Sequence, residues 1–256
     1  MDPVRLRMIT PITISDFRGP TFLKTLSCES AELSSVYLRQ GPVSVESALD
    51  EMIAAPGIVE RALEAEEEGW QAVVVDCMLD PALSATREAV DIQVIGCGES
   101  SMRAASNLGR FAIVTVLDRQ KYAFEQLAGS YGLLDSLTAV RAINVPVLEL
   151  EKNKEQTLKV TTQACQKVVQ EEGVAAIVFG CTGMLGLGAL VQIALSERGL
   201  DVQVFDPLPF AVKQAILAVQ QQQNTNRAEH PLPDRKGILG FEDWPRLRAR
   251  LGPAEI

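Results

Sequence analysis

Short apolar runs alternate along this chain with longer stretches whose apolar positions recur at helical spacing. Leu6 to Thr10 and Ser34 to Arg39 read as the first two strands. Ala72 to Val75, Ile92 to Ile95, Phe111 to Leu117, Ala139 to Leu148, Ala176 to Phe179 and Val202 to Phe205 repeat the pattern. Several of these runs are wholly apolar, as strands buried on both faces are. Between them, Ser15 to Leu26 reads as a helix with Pro20 near its first turns, and Glu46 to Glu68 as a longer one that stops at Gly69. Strands separated by helices predict parallel sheets covered by helices, an α/β class.

The chain also repeats itself. The segment from Glu67 to Cys77, Glu-Glu-Gly-Trp-Gln-Ala-Val-Val-Val-Asp-Cys, aligns without a gap to Glu171 to Cys181, Glu-Glu-Gly-Val-Ala-Ala-Ile-Val-Phe-Gly-Cys. The offset is 104 residues. The strands that follow match as well, Asp91 to Ile95 against Asp201 to Phe205, and Met8-Ile9-Thr10 corresponds to Ile113-Val114-Thr115. A duplication of this kind predicts two pseudo-symmetric, Rossmann-like lobes, each with one Cys at the carboxyl end of a strand. Ligands of open α/β sheets bind at those ends. Two halves facing each other bring Cys77 and Cys181 to one interlobe cleft.

Composition narrows the function classes. With 24 Lys and Arg against 33 Asp and Glu, the net charge is −9, a poor basis for binding a phosphate backbone. No run approaches the roughly 20 apolar residues of a membrane span, and the N-terminus lacks an apolar signal core, so a cytoplasmic location is expected. Five cysteines, an odd number, argue against a disulfide framework. They lack zinc-ribbon spacing, and the single histidine, His230, lies in a Pro-rich stretch, so neither a metal nor a Cys-His pair is expected.

Two thiols facing one carbon suit racemisation. A proton leaves one face of a carbon next to a carbonyl and another arrives on the opposite face, one sulfur acting as thiolate and the other as thiol. Helix starts after each Cys are expected to lower the thiol pKa and to offer N–H groups to the developing enolate. Thr182-Gly183-Met184 follows Cys181, with Gly183 permitting close approach. After Cys77, Asp80 reads as an N-cap and Pro81 as the first helical residue. A single Cys after an apolar strand is usually a small buried hydrophobe; the symmetry of the pair sets these two apart. Cys97, Cys165 and Cys28 read as packing residues, with Cys97 near the cleft. Ser44 and Glu46 follow a Gly-Pro turn at a helix cap, Glu64 to Glu68 reads as a solvated helix end, and Lys213 as a surface ion-pair partner. Met78, Val116, Phe205 and Pro209 are candidates to shape the pocket. Gln220 to Asn224 reads as a polar linker to a short amphipathic end.

From about Leu6 to Ala218 the chain resembles the hydantoin and allantoin racemase family of the aspartate/glutamate racemase superfamily. The resemblance rests on Gly41-Pro42-Val43-Ser44-Val45-Glu46, on Cys77-Met78-Leu79-Asp80-Pro81-Ala82-Leu83 with Arg87-Glu88, on Gly98-Glu99-Ser100-Ser101-Met102, on Val145-Pro146-Val147-Leu148-Glu149-Leu150 and on Gly180-Cys181-Thr182-Gly183-Met184. It implies that Cys77 and Cys181 are the catalytic pair, that no cofactor is needed, and that the enzyme is a homo-oligomer. It also implies a discontinuous first lobe, 1–98 plus 207–256, around a second lobe of 99–206. Thr10-Pro11-Ile12-Thr13 stands where the family has Asn-Pro-Asn-Thr, keeping Pro11 and Thr13 but neither Asn. Arg103 replaces a family His.

The resulting expectation is a racemase acting at C5 of a 5-substituted hydantoin or related ureide such as allantoin. Candidate substrate-binding residues are Thr10, Ile12, Thr13, Ser44, Met78, Thr115, Val116, Thr182 and Gly183. The alternative is an amino-acid racemase of the aspartate/glutamate type, whose carboxylate the hydroxyls of Thr10, Thr13, Thr115 and Thr182 would bind. The lack of an Arg within the motif loops favours the neutral ring. More distant alternatives are chemistry with one Cys, as in maleate isomerases and arylmalonate decarboxylases, and a non-catalytic binding protein of the same fold.

Overall fold

The buried apolar runs form two parallel sheets, seen in a computed structural model that describes residues 3–19, 21–223 and 225–252. Pro20 of the expected first helix and Asn224 of the expected linker lie outside the described residues. The first half runs β1 (Val4–Thr10), α1 (Phe22–Leu26), β2 (Ala31–Tyr37), α2 (Ala48–Glu67), β3 (Ala72–Val75), α3 (Leu83–Ala89), β4 (Gln93–Gly96) and α4 (Cys97–Leu108). The second half follows with β5 (Phe111–Thr115), α5 (Lys121–Ser130), β6 (Leu137–Ala142), α6 (Lys154–Glu172), β7 (Ala176–Phe179), α7 (Leu187–Ser196), β8 (Gln203–Phe205) and α8 (Pro207–Gln220), and α9 (Pro245–Leu251) comes last.

The sheet orders are β2-β1-β3-β4 and β6-β5-β7-β8, with every pairing parallel. The second order is the first repeated strand for strand, as a duplicated sequence requires. Strands β3 and β7 are central and buried along their whole length, so they carry no polar side chains. The aliphatic core of the first sheet continues to Phe111, Ile113 and Val178 of the second, and α4 touches β7, so the halves share packing.

Several expectations need correction. The helix expected from Ser15 forms only over Phe22–Leu26, because the residue before a proline is pushed away from helical angles and Gly19 precedes Pro20. Ser47, not Ser44, caps α2, accepting from the Asp50 N–H at 3.3 Å. Strand β6 ends at Ala142, before the positive φ of Asn144 and the Pro146 turn. Cys28 is exposed rather than packed, and Lys213 is exposed and in no ion pair among the described residues. Glu64 is buried between Arg61 and Arg39 at 2.6 and 2.7 Å rather than solvated. Beyond α8, which packs on β1, β3 and β4, the tail is tied down: Thr225 donates to the Ile92 carbonyl, and Arg246 pairs with Glu60 and Glu67 on α2. Among the described residues no helix is long and apolar enough to cross a membrane.

Candidate active site

Each central strand stays hydrogen-bonded one residue past its end. The Asp76 N–H donates to Ile9 at 2.9 Å and the Gly180 N–H to Val114 at 2.8 Å. The next residue in each half is the cysteine, so Cys77 and Cys181 leave equivalent sheet edges in equivalent ways. The Cys181 sulfur receives the N–H two residues on. Gly183 donates to the Cys181 Sγ at 3.3 Å, and the Leu79 N–H favours the Cys77 thiolate. The sulfurs feel each other: a charge on Cys181 opposes a charge on Cys77.

Burial dominates the acidity of both thiols. It pushes Cys181 up to about 11, against the Gly183 N–H and then Arg18, which both pull it down. It raises Cys77 well above the ordinary thiol value. The expected lowering by helix starts is absent because neither Cys heads an α-helix. Asp80 and Ala82 adopt positive φ of 48° and 56°, and α3 begins only at Leu83. Asp80 does not cap α3. Its carboxylate instead caps α4, accepting from Gly98 at 2.9 Å and Glu99 at 2.6 Å, and takes the Tyr131 hydroxyl at 2.8 Å. Gly98 is required there, since a Cβ would lie 2.3 Å from the Met78 carbonyl. After Cys181 a single 3-10 turn, Thr182–Met184, takes the place of a helix.

Arg18, which lies outside the motif loops, is the residue that sequence reasoning missed. Its guanidinium is 7% exposed and grips Asp76, which is fully buried, at 2.7 Å. It also donates to the Thr182 carbonyl at 3.0 Å. The available signal was a break in the repeat: Asp76 ends an apolar strand where its counterpart is Gly180. A carboxylate buried there needs a cation, and Thr10 completes its shell by donating at 2.9 Å.

The other expected residues fall into two groups. Thr10, Thr182 and Gly183 gather round the thiol loops: the Thr182 hydroxyl donates to the Asp76 carbonyl at 3.3 Å, across the halves. Met78 is buried beside Cys77 in the chain. Thr13 donates to the Pro42 carbonyl at 3.3 Å, Ile12 is buried, and Ser44 is half-buried. Thr115 and Val116 are fully buried, with the Thr115 hydroxyl donating to Gln120 at 2.8 Å. The four threonine hydroxyls thus all have protein acceptors. Glu46 reaches the second half, accepting from the Val147 N–H at 2.9 Å. Arg103 pairs with Glu99 on α4. Phe205 packs edge-on against Phe210, and Pro209 is exposed. A cavity of about 400 Å³ lies beside the Cys181 loop, lined in part by Leu150, Leu185 and Leu190 and by the charged Glu151, Lys154 and Glu155. Among the described residues no cluster of His, Cys, Asp and Glu has a metal-binding arrangement.

Two thiols on equivalent strand ends of a duplicated α/β fold define a class, and comparison with known proteins names it. Residues 24–215 match the Asp/Glu/Hydantoin racemase family. A hydantoin racemase of Pseudomonas sp. (strain NS671) is 34% identical over 85% of this chain and 86% of its own. The structure of allantoin racemase from Klebsiella pneumoniae superposes with a TM-score of 0.83 at 30% identity, covering 93% of this chain and 97% of that one. Allantoin racemase from Pseudomonas fluorescens shares the fold, with a TM-score of 0.84 at 22% identity over 93% of this chain and 100% of that one. The chain belongs to the Asp/Glu/Hydantoin racemase family, and it is a racemase acting on a small molecule.

Proposed function

We propose that this enzyme racemises C5 of a 5-substituted hydantoin or related ureide such as allantoin, with Cys77 and Cys181 as the acid and base. The observation that carries the reading is the equivalence of the two thiols, each just past the carboxyl edge of the corresponding central strand in its half. One sulfur, as thiolate, takes the C5 proton. The electron pair moves into the neighbouring ring carbonyl, and the other sulfur delivers its proton to the opposite face. The protein then holds the opposite thiol and thiolate, ready for the other enantiomer. No cofactor enters this scheme.

The charge balance favours a neutral ring. Arg18 is the cation at the thiol loops, and Asp76 already matches it in a bidentate pair. The threonine hydroxyls that an amino-acid carboxylate would need are engaged within the protein. The cavity beside Gly183 offers room for a C5 substituent along Leu150, Leu185 and Leu190. The lobe division, 1–98 with 207–256 against 99–206, is supported by the packing of α8 on β1, β3 and β4. A cytoplasmic homo-oligomer belongs to the same reading.

The test is hydrogen–deuterium exchange in D₂O at C5 of a panel of hydantoins and at Cα of amino acids. Exchange with loss of optical rotation for hydantoins alone is expected. Exchange only with amino acids moves the substrate class to the alternative.

A further inference from the structure

The segment between β1 and α1 carries Arg18 onto the cleft, and nearly everything around that side chain fixes its position. Its own N–H donates to the Tyr37 hydroxyl at 3.0 Å. Its guanidinium lies 5.1 and 4.8 Å from the Phe17 and Phe22 ring centres. Nη2 reaches both Asp76 oxygens at 2.7 and 2.9 Å, Nε reaches one at 3.3 Å, and Nη1 donates to the Thr182 carbonyl at 3.0 Å. Asp76 immediately precedes Cys77 and Thr182 immediately follows Cys181. One planar fork therefore ties together the two loops that present sulfur.

The charges around the two sulfurs differ. Cys181 faces Arg18, with Asp76 and Glu46 as the opposing anions. A charge on Cys77 is opposed by Cys181, Glu51 and Asp80 in their ionised forms. Two thiols that are equivalent by fold are thus unequal by field. An arginine keeps its charge at every working pH, so the bias does not titrate away.

We propose that Arg18 is a positioning residue of the racemase: it clamps the Cys77 and Cys181 loops in one reactive arrangement and makes Cys181, rather than Cys77, the sulfur that ionises first. This rests on the two-thiol reading above and adds an order to it. Cys181 is the base that starts the cycle, and Cys77 carries the first proton to be donated.

The test is competitive alkylation with iodoacetamide at pH 9, with each cysteine followed separately by mass spectrometry. Because an opened cleft exposes both sulfurs, the readout is the ratio of the Cys181 to the Cys77 rate. Wild type is expected to alkylate Cys181 first. Arg18→Met lowers the ratio about tenfold, the equivalent of one pKa unit, and Arg18→Lys restores part of it. In steady state Arg18→Met lowers kcat much more than it changes KM. Arg18→Met leaves a buried carboxylate unpaired, so Arg18→Met/Asp76→Asn, which keeps a neutral acceptor for Thr10, is measured beside it, with a fall in ratio in the same direction but smaller, because the opposing Asp76 charge leaves as well. A ratio unchanged in a folded variant, or a wild type in which Cys77 reacts first, overturns the proposal. The ratio needs no substrate, so a failed hydantoin assay leaves this test standing and is read separately.

Discussion

The hydroxyl of Thr182 donates to the carbonyl of Asp76 at 3.3 Å, joining the residue after Cys181 to the residue before Cys77. Arg18 spans the same two residues through its side chain. The thiol pair is thus held by bonds between the halves and not only by each half's own sheet. Thr182→Val removes the hydroxyl at nearly constant volume and leaves the Asp76 carbonyl short of a donor. We expect a loss of about 1 kcal/mol, seen as a fall in Tm of about 2–4 °C. A fall in kcat should accompany it. A Tm within error of wild type counts against a tie of any strength.

Cys77→Ser and Cys181→Ser each replace a sulfur acid-base group with a hydroxyl that does not ionise in the working range. Racemisation is expected to fall about 10²- to 10⁴-fold in either variant, with circular dichroism unchanged. Full loss in one variant and wild-type activity in the other points to chemistry with one thiol.

The pH dependence follows from burial. Burial holds the Cys181 thiol up to about 11, against an ordinary value of 9.0. The fraction present as thiolate therefore rises with pH through the neutral and mildly alkaline range, by at most tenfold per unit. The kcat/KM profile for a neutral substrate should climb over that range instead of reaching a plateau near 7. The same shift sets a stability trend. Between about 9 and 11 the folded chain retains a proton that the unfolded chain has lost, so stability is full below 9 and declines as pH rises through that window. Urea midpoints measured at pH 8 and 10.5 check the sign, and a higher midpoint at pH 10.5 contradicts it.

Gly180 has no room for a side chain. A Cβ there would lie 2.5 Å from the Thr115 Cβ and 2.9 Å from its Cα, so backbone must move. Gly180→Ala is expected to cost about 1–3 kcal/mol as an overpacked core does, and to displace the adjacent Cys181. A Tm scan and kcat together check this. A stable variant with lowered kcat shows that the strain is absorbed by the Cys181 loop, and a stable variant of full activity contradicts the crowding.

Much of this protein is legible along the chain. Wholly apolar tetrads such as Ala72–Val75 and Ala176–Phe179 have no solvated face, so they determine central parallel strands. Their repeat, with a Cys at the same distance after each, determines two like lobes and two like thiols. These are local properties of pattern and spacing. The tertiary structure alone decided what surrounds the sulfurs. Arg18 is far in sequence from Thr182, and only folding brings a guanidinium from the first loop between two strand ends. The acidity of Cys77 and Cys181 was misread for the same reason. The residues after each Cys suggested helix starts, but positive φ at Asp80 and Ala82 and a 3-10 turn at Thr182–Met184 put none there. Burial by distant segments then set the proton affinity. Pattern specifies which atoms a strand presents, but charge and solvent access at those atoms depend on what the rest of the chain packs against them.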